Sequence, residues 1–153
     1  MACERRAGLN QRSVLCPAAS LYLSGVAGAD PFIAVVDDES PVRTMLGRLL
    51  RLAEYRVSAF ASGEDFLASL AVQRPACAIV DVHMPGLSGF ELQAQLLTQP
   101  FRIPVVFITA SDEVGLDQAA LDAGAVRLLR KPFSSAELLE SVGIALRSVD
   151  RGP

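Results

Sequence analysis

Five side chains that could together bind a cation and an anion stand at the ends of short apolar segments in this chain of 153 residues. Asp37 and Asp38 follow FIAVV, Asp81 follows ACAIV, Thr109 ends VVFIT, and Lys131 follows VRLLR. Lys131 is the single lysine beside 13 arginines, which suggests that this position requires an ammonium rather than a guanidinium. Carboxylates, a hydroxyl and an ammonium are groups that could hold a metal ion and a phosphate.

The apolar segments alternate with amphipathic helices, which is the pattern of a parallel α/β sheet. Strands are predicted at 32–36, 56–60, 76–80, 105–109 and 126–130. The first helix is predicted to begin near Ser40 with Pro41 in its first turn, and a loosely packed fourth helix is predicted near 114–123. Capping boxes, in which a serine precedes an acidic residue by three positions, mark the other helix starts: Ser62 with Asp65, Ser88 with Glu91, and Ser134 with Glu137.

The composition of the strands predicts their order in the sheet. The first, third and fourth strands are continuous apolar runs, which is typical of central parallel strands buried on both faces. The second and fifth strands contain polar or charged residues, which favours the two edges. Right-handed crossovers then favour a single doubly wound sheet of order 2-1-3-4-5, the flavodoxin-like winding. Its ligand crevice lies at the carboxyl ends of the strands, where the candidate residues converge.

The convergence of three carboxylates has an electrostatic consequence. At separations of roughly 4 Å, each pair repels by about 4 kcal/mol at an effective dielectric constant near 20, so a cation must offset the repulsion. The hard oxygen ligands, without a cluster of histidines or thiolates, favour Mg²⁺, which keeps water ligands that a phosphate can displace. The sequence therefore predicts a magnesium site among Asp37, Asp38 and Asp81.

Four stretches of the chain resemble the receiver domain of bacterial two-component response regulators: VVDDES, IVDVHMPGLSGFEL, VVFITAS and AGAVRLLRKPF. The resemblance extends from about residue 30 to 148 and is greatest to receivers of the NarL/FixJ group, which precede a DNA-binding helix-turn-helix. It implies that Asp81 is the phosphoacceptor and that Thr109 and Lys131 contact the phosphoryl oxygens. It also implies a set of residues around Mg²⁺, which are Asp38, Asp81, His83 through its backbone carbonyl, and Asp37 in the same acidic pocket.

The resemblance implies a signalling function rather than metabolic catalysis. Such a receiver takes a phosphoryl group from a sensor histidine kinase, a phosphotransfer protein or a small acyl phosphate, and it catalyses its own phosphorylation and dephosphorylation. The Thr109 hydroxyl can then reorient towards the added charge and draw its loop inward. The expected output is a protein contact through the fourth helix, fifth strand and fifth helix, and a phosphorylation-dependent dimer is left open.

Three other interpretations of the same residues stay open. A phosphorylation-independent adaptor would suit a chain that lacks one of the acidic residues or the lysine, but all of them are present. An intermediate phosphate carrier in a phosphorelay would need the same residues. A phosphohydrolase of the haloacid dehalogenase class also uses an aspartyl nucleophile, but its DxDx(T/V) motif is poorly matched by Asp81, Val82, His83 and Met84.

Several residues near the predicted site carry separate expectations. Receivers commonly have an aromatic residue three positions before the lysine, where this chain has Leu128, and we expect Leu128 to pack against the core. His83 is expected to be a rim side chain that tunes water access rather than a base or a phosphate relay. The Lys131–Pro132 bond is expected to be cis, because the chain must reverse sharply before Ser134 caps the last helix.

Composition narrows the class of protein further. With 14 basic and 17 acidic side chains and a net charge of −3, the chain is not expected to bind nucleic acid. It contains no apolar run of the roughly 18 residues that a membrane span requires. Its three cysteines have no disulfide or zinc-site spacing, so we expect a reducing cytoplasm and expect Cys77 to be a core residue.

The predicted domain boundaries place the receiver at residues 30–149. Residues 1–29 are expected to be a disordered extension or the result of a start codon upstream of the true one, and residues 150–153 a tail. Because the sequence stops at Pro153, we expect a stand-alone receiver without a DNA-binding domain. A truncated gene product would have the same sequence.

Overall fold

A computed structural model describes residues 31–150 as a five-stranded parallel sheet with five helices. The strands are β1 (Phe32–Val36), β2 (Arg56–Phe60), β3 (Cys77–Asp81), β4 (Val105–Thr109) and β5 (Arg127–Arg130). The helices are α1 (Ser40–Leu52), α2 (Gly63–Ser69), α3 (Gly89–Leu96), α4 (Leu116–Asp122) and α5 (Ser135–Asp150). The extension expected at 1–29 and the last three residues of the expected tail lie outside the described residues. No helix within residues 31–150 is long and apolar enough to cross a membrane.

The strand order is β2-β1-β3-β4-β5, which confirms the predicted flavodoxin-like sheet. Every residue of β1, β3 and β4 is buried, whereas β2 and β5 are partly exposed, because only central parallel strands are covered on both faces. Three strand boundaries differ from the prediction. β3 begins one residue later, at Cys77, and ends one residue later, because Asp81 still pairs with Ile108 of β4. β5 begins one residue later, at Arg127.

Alternate side chains of the central strands build a separate apolar core on each face of the sheet. One core contains Phe32 and Ala34 together with apolar residues of α2, α3 and α4. The other contains Ile33 and Val35 together with residues of α1 and α5. Cys77 lies fully buried in this second core, as expected, and burial raises the pKa of its thiol to about 12. The two cores pack against opposite faces of the central strands and so fix where the carboxyl ends of these strands lie.

The predicted helix starts are largely confirmed. Pro41 lies in the first turn of α1. Complete capping boxes form at the starts of α3 and α5, between Ser88 and Glu91 and between Ser134 and Glu137. At α2 the structure shows one half of the predicted box, since the Ser62 hydroxyl accepts from the Asp65 amide at 3.1 Å. Aspartate is one methylene shorter than the glutamate that closes the other two boxes, which explains the difference.

Helix α4 is shorter than the predicted 114–123. Gly115 has a φ of 89° and precedes the helix as its N-cap, so Val114 lies outside the helix. Val114 is 97% exposed and Leu121 is 53% exposed, so neither side chain is buried in the core. Only Leu116 and Ala120 of this helix are buried. The prediction that α4 offers little apolar surface to the core therefore agrees with its packing.

Helix α1 ends in a Schellman motif that contains a strained residue. The Glu54 amide donates to the Arg51 carbonyl at 2.8 Å and the Tyr55 amide donates to the Leu50 carbonyl at 3.0 Å. This closure places Glu54 at a φ of 70°, where a side chain other than that of glycine is unfavourable. Glycine commonly occupies this position in other helices, and Gly124 does so after α4 with a φ of 93°.

We predict that Glu54→Gly stabilises the protein by about 0.5–1 kcal/mol and raises its melting temperature by about 2 °C. The free energy gained by relieving the left-handed strain is larger than the free energy lost because glycine raises the backbone entropy of the unfolded chain. Thermal and urea unfolding would measure the change. Gly124→Ala is the matched control, and it should lower stability because it introduces the same strain at the end of α4. A less stable Glu54→Gly variant would contradict the prediction.

Candidate functional site

The carboxyl ends of four strands bring the predicted site residues to one edge of the sheet. Asp37 follows β1, Asp81 is the last residue of β3, Thr109 is the last residue of β4, and Lys131 follows β5. Asp37, Asp38 and Asp81 each offer a carboxylate oxygen, and these three oxygens lie within 4.8 Å of one another. The predicted acidic cluster is therefore present in the described structure.

Asp37 is the most deeply placed of the three acids, with no exposed surface. Its Oδ1 accepts from the Glu39 amide at 2.8 Å, and its Oδ2 lies 3.4 Å from the Lys131 ammonium. The Arg43 side chain of α1 donates from Nη1 to the Asp37 backbone carbonyl at 2.7 Å. Burial raises the pKa of Asp37, because the Glu39 amide and Lys131 offset its desolvation only in part.

Asp81 is also nearly buried, with 6% of its surface exposed. Its Oδ1 accepts from the His83 amide at 3.3 Å, and its Oδ2 lies 4.0 Å from the Lys131 Nζ. Burial, followed by the negative charge of Asp37, raises the pKa of Asp81 to about 6, although Lys131 acts in the opposite direction. Because pH 7 lies above this pKa, the ionised form of the Asp81 carboxyl group predominates, and the ionised form is the nucleophile.

The Lys131 ammonium lies among three carboxylates. Its Nζ is 3.4 Å from Asp37, 3.6 Å from Glu39 and 4.0 Å from Asp81, and the side chain is only 18% exposed. Including Asp38, which is exposed, the pocket combines four carboxyl groups with one ammonium. The pocket thus has an excess of negative charge that a further cation would offset.

Thr109 lies fully buried beside the base of Lys131. Its Oγ1 accepts from the Ser111 amide at 3.0 Å, and its backbone carbonyl accepts from the Lys131 amide at 2.7 Å. The bond between Lys131 and Pro132 is cis, as predicted. Because the Thr109 oxygen is the acceptor in its bond to Ser111, its hydroxyl proton stays available for donation to another group.

Gly89 holds the start of α3 against the backbone of the Asp81 strand end. Its amide donates to the Val82 carbonyl at 2.9 Å, and a Cβ at this position would lie 2.5 Å from the Asp81 carbonyl oxygen and 2.8 Å from the Val82 Cα. Both obstacles are backbone atoms, which cannot rotate away as a side chain can. A side chain at position 89 would therefore displace α3 or the residue that carries the central carboxylate.

Three residues around the site were not predicted from the sequence. Glu39 directly follows the paired aspartates, and this third acidic residue was a signal for its contact with Lys131. Arg43 and Arg130 donate to backbone carbonyls, and no pattern in the sequence indicates which carbonyl an arginine will reach. Leu128 is half-buried and packs against the core, as expected, and His83 is exposed at the rim.

The chain matches the model of a known protein family. The model of the response regulator receiver domain matches residues 33–143, and the chain belongs to this family. Among curated proteins, the chain is 41% identical over 123 residues to the response regulator MprA of Mycobacterium sp. (strain KMS), covering 79% of this chain and 54% of the relative. It is 35% identical over 125 residues to nodulation protein W of Bradyrhizobium diazoefficiens, covering 82% of this chain and 55% of the relative. The chain spans about half the length of these relatives.

Solved structures of receivers have the same fold. A response regulator receiver protein from Burkholderia phymatum is 41% identical with a TM-score of 0.69, covering 76% of this chain and 95% of that chain. The structure of FixJ-N is 33% identical with a TM-score of 0.73, covering 79% of this chain and 97% of that chain. Receivers of this family are signalling phosphoacceptors that take phosphate from histidine kinases, rather than metabolic enzymes.

We predict that Asp81→Asn is more stable than the wild type at pH 7 without metal, by of the order of 1–3 kcal/mol. Because its pKa is raised, Asp81 binds a proton more tightly in the folded state than in the unfolded state, where its pKa is near 3.8. Wild-type stability should therefore rise as pH falls from 7 through about 6 and towards 4. The variant should show a smaller rise in stability over the same pH range. The rise that remains comes from Asp37, whose pKa is also raised.

Urea unfolding across this pH range in a chelator would measure both effects. Asp112→Asn provides a control, since it neutralises an exposed carboxylate of the neighbouring loop and should leave the pH profile unchanged. A destabilised Asp81→Asn variant would show that the Asp81 charge does not oppose folding.

Proposed function

We propose that this receiver accepts a phosphoryl group on Asp81 from a histidine kinase, a phosphotransfer protein or a small acyl phosphate. The observation that carries the proposal is the Asp81 carboxylate, nearly buried among acids and 4.0 Å from the ammonium of the single lysine. A buried carboxylate beside a cation is poorly explained as a surface charge. Membership of the receiver family supports the same assignment.

The donor set of the pocket fits Mg²⁺. Its ligands are hard oxygens, the carboxylates outnumber the ammonium, and Asp38 is exposed where an ion could enter. We propose that Asp38, Asp81 and the backbone carbonyl of His83 hold the ion, with Asp37 completing the acidic pocket. When bound, Mg²⁺ would neutralise charge on the phosphoryl oxygens.

The chemical step is a displacement at phosphorus. An Asp81 carboxylate oxygen forms the new O–P bond, while the P–N bond of a phosphohistidine or the P–O bond of an acyl phosphate breaks and the leaving group keeps the electron pair. The Lys131 ammonium, held within 4.0 Å of Asp81, lies where it can bind a transferred phosphoryl oxygen. Thr109 can then donate its free hydroxyl proton to the phosphoryl group, as the family resemblance implies.

The phosphorylated protein would signal from the cytoplasm through the surface formed by α4, β5 and α5. Val114 and Leu121 expose large apolar side chains on or beside α4, and such residues favour contact with a protein partner. Leu128 replaces the common aromatic residue and is half-buried under this surface. Movement of the Thr109 loop would therefore be relayed through backbone and apolar packing rather than through rotation of an aromatic ring.

We predict that incubation with acetyl phosphate and Mg²⁺ adds one phosphoryl group to the wild type and none to Asp81→Asn. The amide has the same shape as the carboxylate but lacks its nucleophilic oxygen. Intact mass measurement would detect the added group, and fragment masses would locate it. Lys131→Met should slow the reaction by about tenfold or more, because the ammonium no longer stabilises the transferred charge. Equal modification of Asp81→Asn and the wild type would contradict the proposal that Asp81 is the phosphoacceptor.

We predict that Asp38→Ala loses most of the stabilisation that Mg²⁺ gives the wild type. An ion that binds only the folded state raises the melting temperature in proportion to the logarithm of its concentration. The rise should therefore be nearly absent in the variant. Without Mg²⁺ its stability should equal or exceed that of the wild type, because one member of a repelling cluster is gone. Glu140→Ala, which removes an exposed carboxylate on α5, should retain the full response. Strong destabilisation of Asp38→Ala without metal would show a structural role for Asp38.

A further inference from the structure

Arg130, the last residue of β5, contacts the loop between β4 and α4 at two points and the first turn of α4 at a third. Its Nη1 donates to the Ser111 carbonyl at 2.5 Å, and its Nη2 donates to the Glu113 carbonyl at 3.3 Å. The same Nη2 lies 3.3 Å from the Asp117 carboxylate in the first turn of α4. The planar guanidinium has five donors in a fixed arrangement, so it can hold several acceptors together.

The loop that Arg130 contacts directly follows Thr109 and donates a hydrogen bond to its hydroxyl oxygen. Ser111 accepts from Arg130 through its carbonyl and donates its own amide to the Thr109 Oγ1 at 3.0 Å. The Glu113 amide donates to the Ser111 hydroxyl at 3.1 Å, which closes the loop on itself. Thr109 and Arg130 are also partners in the register of β4 and β5. A continuous set of bonds therefore links the guanidinium to the threonine.

The contacts of Arg130 differ in strength. Its side chain is 33% exposed and that of Asp117 is 68% exposed, so the ion pair is screened by solvent and contributes little. The bond to the Ser111 carbonyl is partly buried and is assisted by the charge of the guanidinium. The bond to the Glu113 carbonyl is exposed, so the restraint on the loop depends mainly on the bond to the Ser111 carbonyl.

We propose that Arg130 is a positioning residue that holds the β4–α4 loop in its resting arrangement, in which the Thr109 hydroxyl oxygen accepts from the Ser111 amide. The proposal rests on the function proposed above for Asp81 and Thr109. A movement of Thr109 towards Asp81 that keeps its bond to the Ser111 amide also moves Ser111, whose carbonyl Arg130 binds. Bonds present in only one of two arrangements shift the population towards that arrangement, so Arg130 opposes the phosphorylated state.

The first test measures binding of beryllium fluoride, a phosphoryl mimic that activates the DrrB receiver domain, in the presence of Mg²⁺. Arg130→Met keeps the apolar stem but removes the donors, and it should bind the mimic about threefold to tenfold more tightly than the wild type. Arg130→Lys should give an intermediate affinity, because an ammonium can replace only some of the hydrogen bonds that the guanidinium donates. Asp117→Asn should stay within about twofold of the wild type.

Arg127→Met is the matched control on the same strand. Arg127 is 36% exposed and lies 3.8 Å from Glu140 of α5, so the variant removes a similar guanidinium that does not touch the loop. Its affinity for beryllium fluoride should equal that of the wild type. A change as large as that of Arg130→Met would show a general effect of positive charge on β5.

The second test needs no phosphoryl mimic. In Arg130→Met, hydrogen exchange of the Ser111 and Glu113 amides should be faster by a similar factor, while the amides of β1 stay protected. Unchanged exchange of the two loop amides, or equal or weaker binding of the mimic, would overturn the proposal. A wild type that neither binds beryllium fluoride nor accepts a phosphoryl group would contradict the function proposed for Asp81. The exchange of the loop amides would then decide by itself whether Arg130 restrains the loop.

Discussion

The structure depends on holding carboxylates of like charge together in a largely buried place. Asp37 and Asp81 are nearly inaccessible and repel each other, and burial adds a desolvation cost that raises the pKa of both. Such an arrangement persists only where the surrounding packing is strong. The central strands supply it, because β1, β3 and β4 are buried along their whole length and carry an apolar core on each face.

The positive charge that partly offsets this repulsion comes from a distant part of the chain. Lys131 and Asp37 are separated by 94 positions in the sequence, yet the two side chains meet at 3.4 Å. This contact requires β5 to occupy the edge beside β4 and the chain to turn back directly after it. The edge strand and the turn at Pro132 are therefore parts of the site, and the stability of the pocket depends on the last third of the domain.

Helix α4 is held differently from the rest of the domain. It buries only two of its side chains, and polar contacts secure its ends. Arg130 binds the preceding loop, and the buried Gln93 of α3 donates from Nε2 to the Ala123 carbonyl at 3.1 Å. The Oε1 of Gln93 has no partner among the described residues. Elements with little buried apolar surface open at low cost, so α4 and its loop are suited to change position while the central sheet does not.

The sequence by itself determined the sheet and the central residues of the site. Apolar runs and turn residues marked the strands to within one residue, and parallel strands must place their carboxyl ends at one edge, so Asp37, Asp81 and Lys131 had to converge. Only the tertiary structure decided how deeply Asp81 is buried, and that Glu39 shares the ammonium of Lys131. Those properties depend on desolvation and on the reach of side chains from elements far apart in the chain, which local periodicity does not encode.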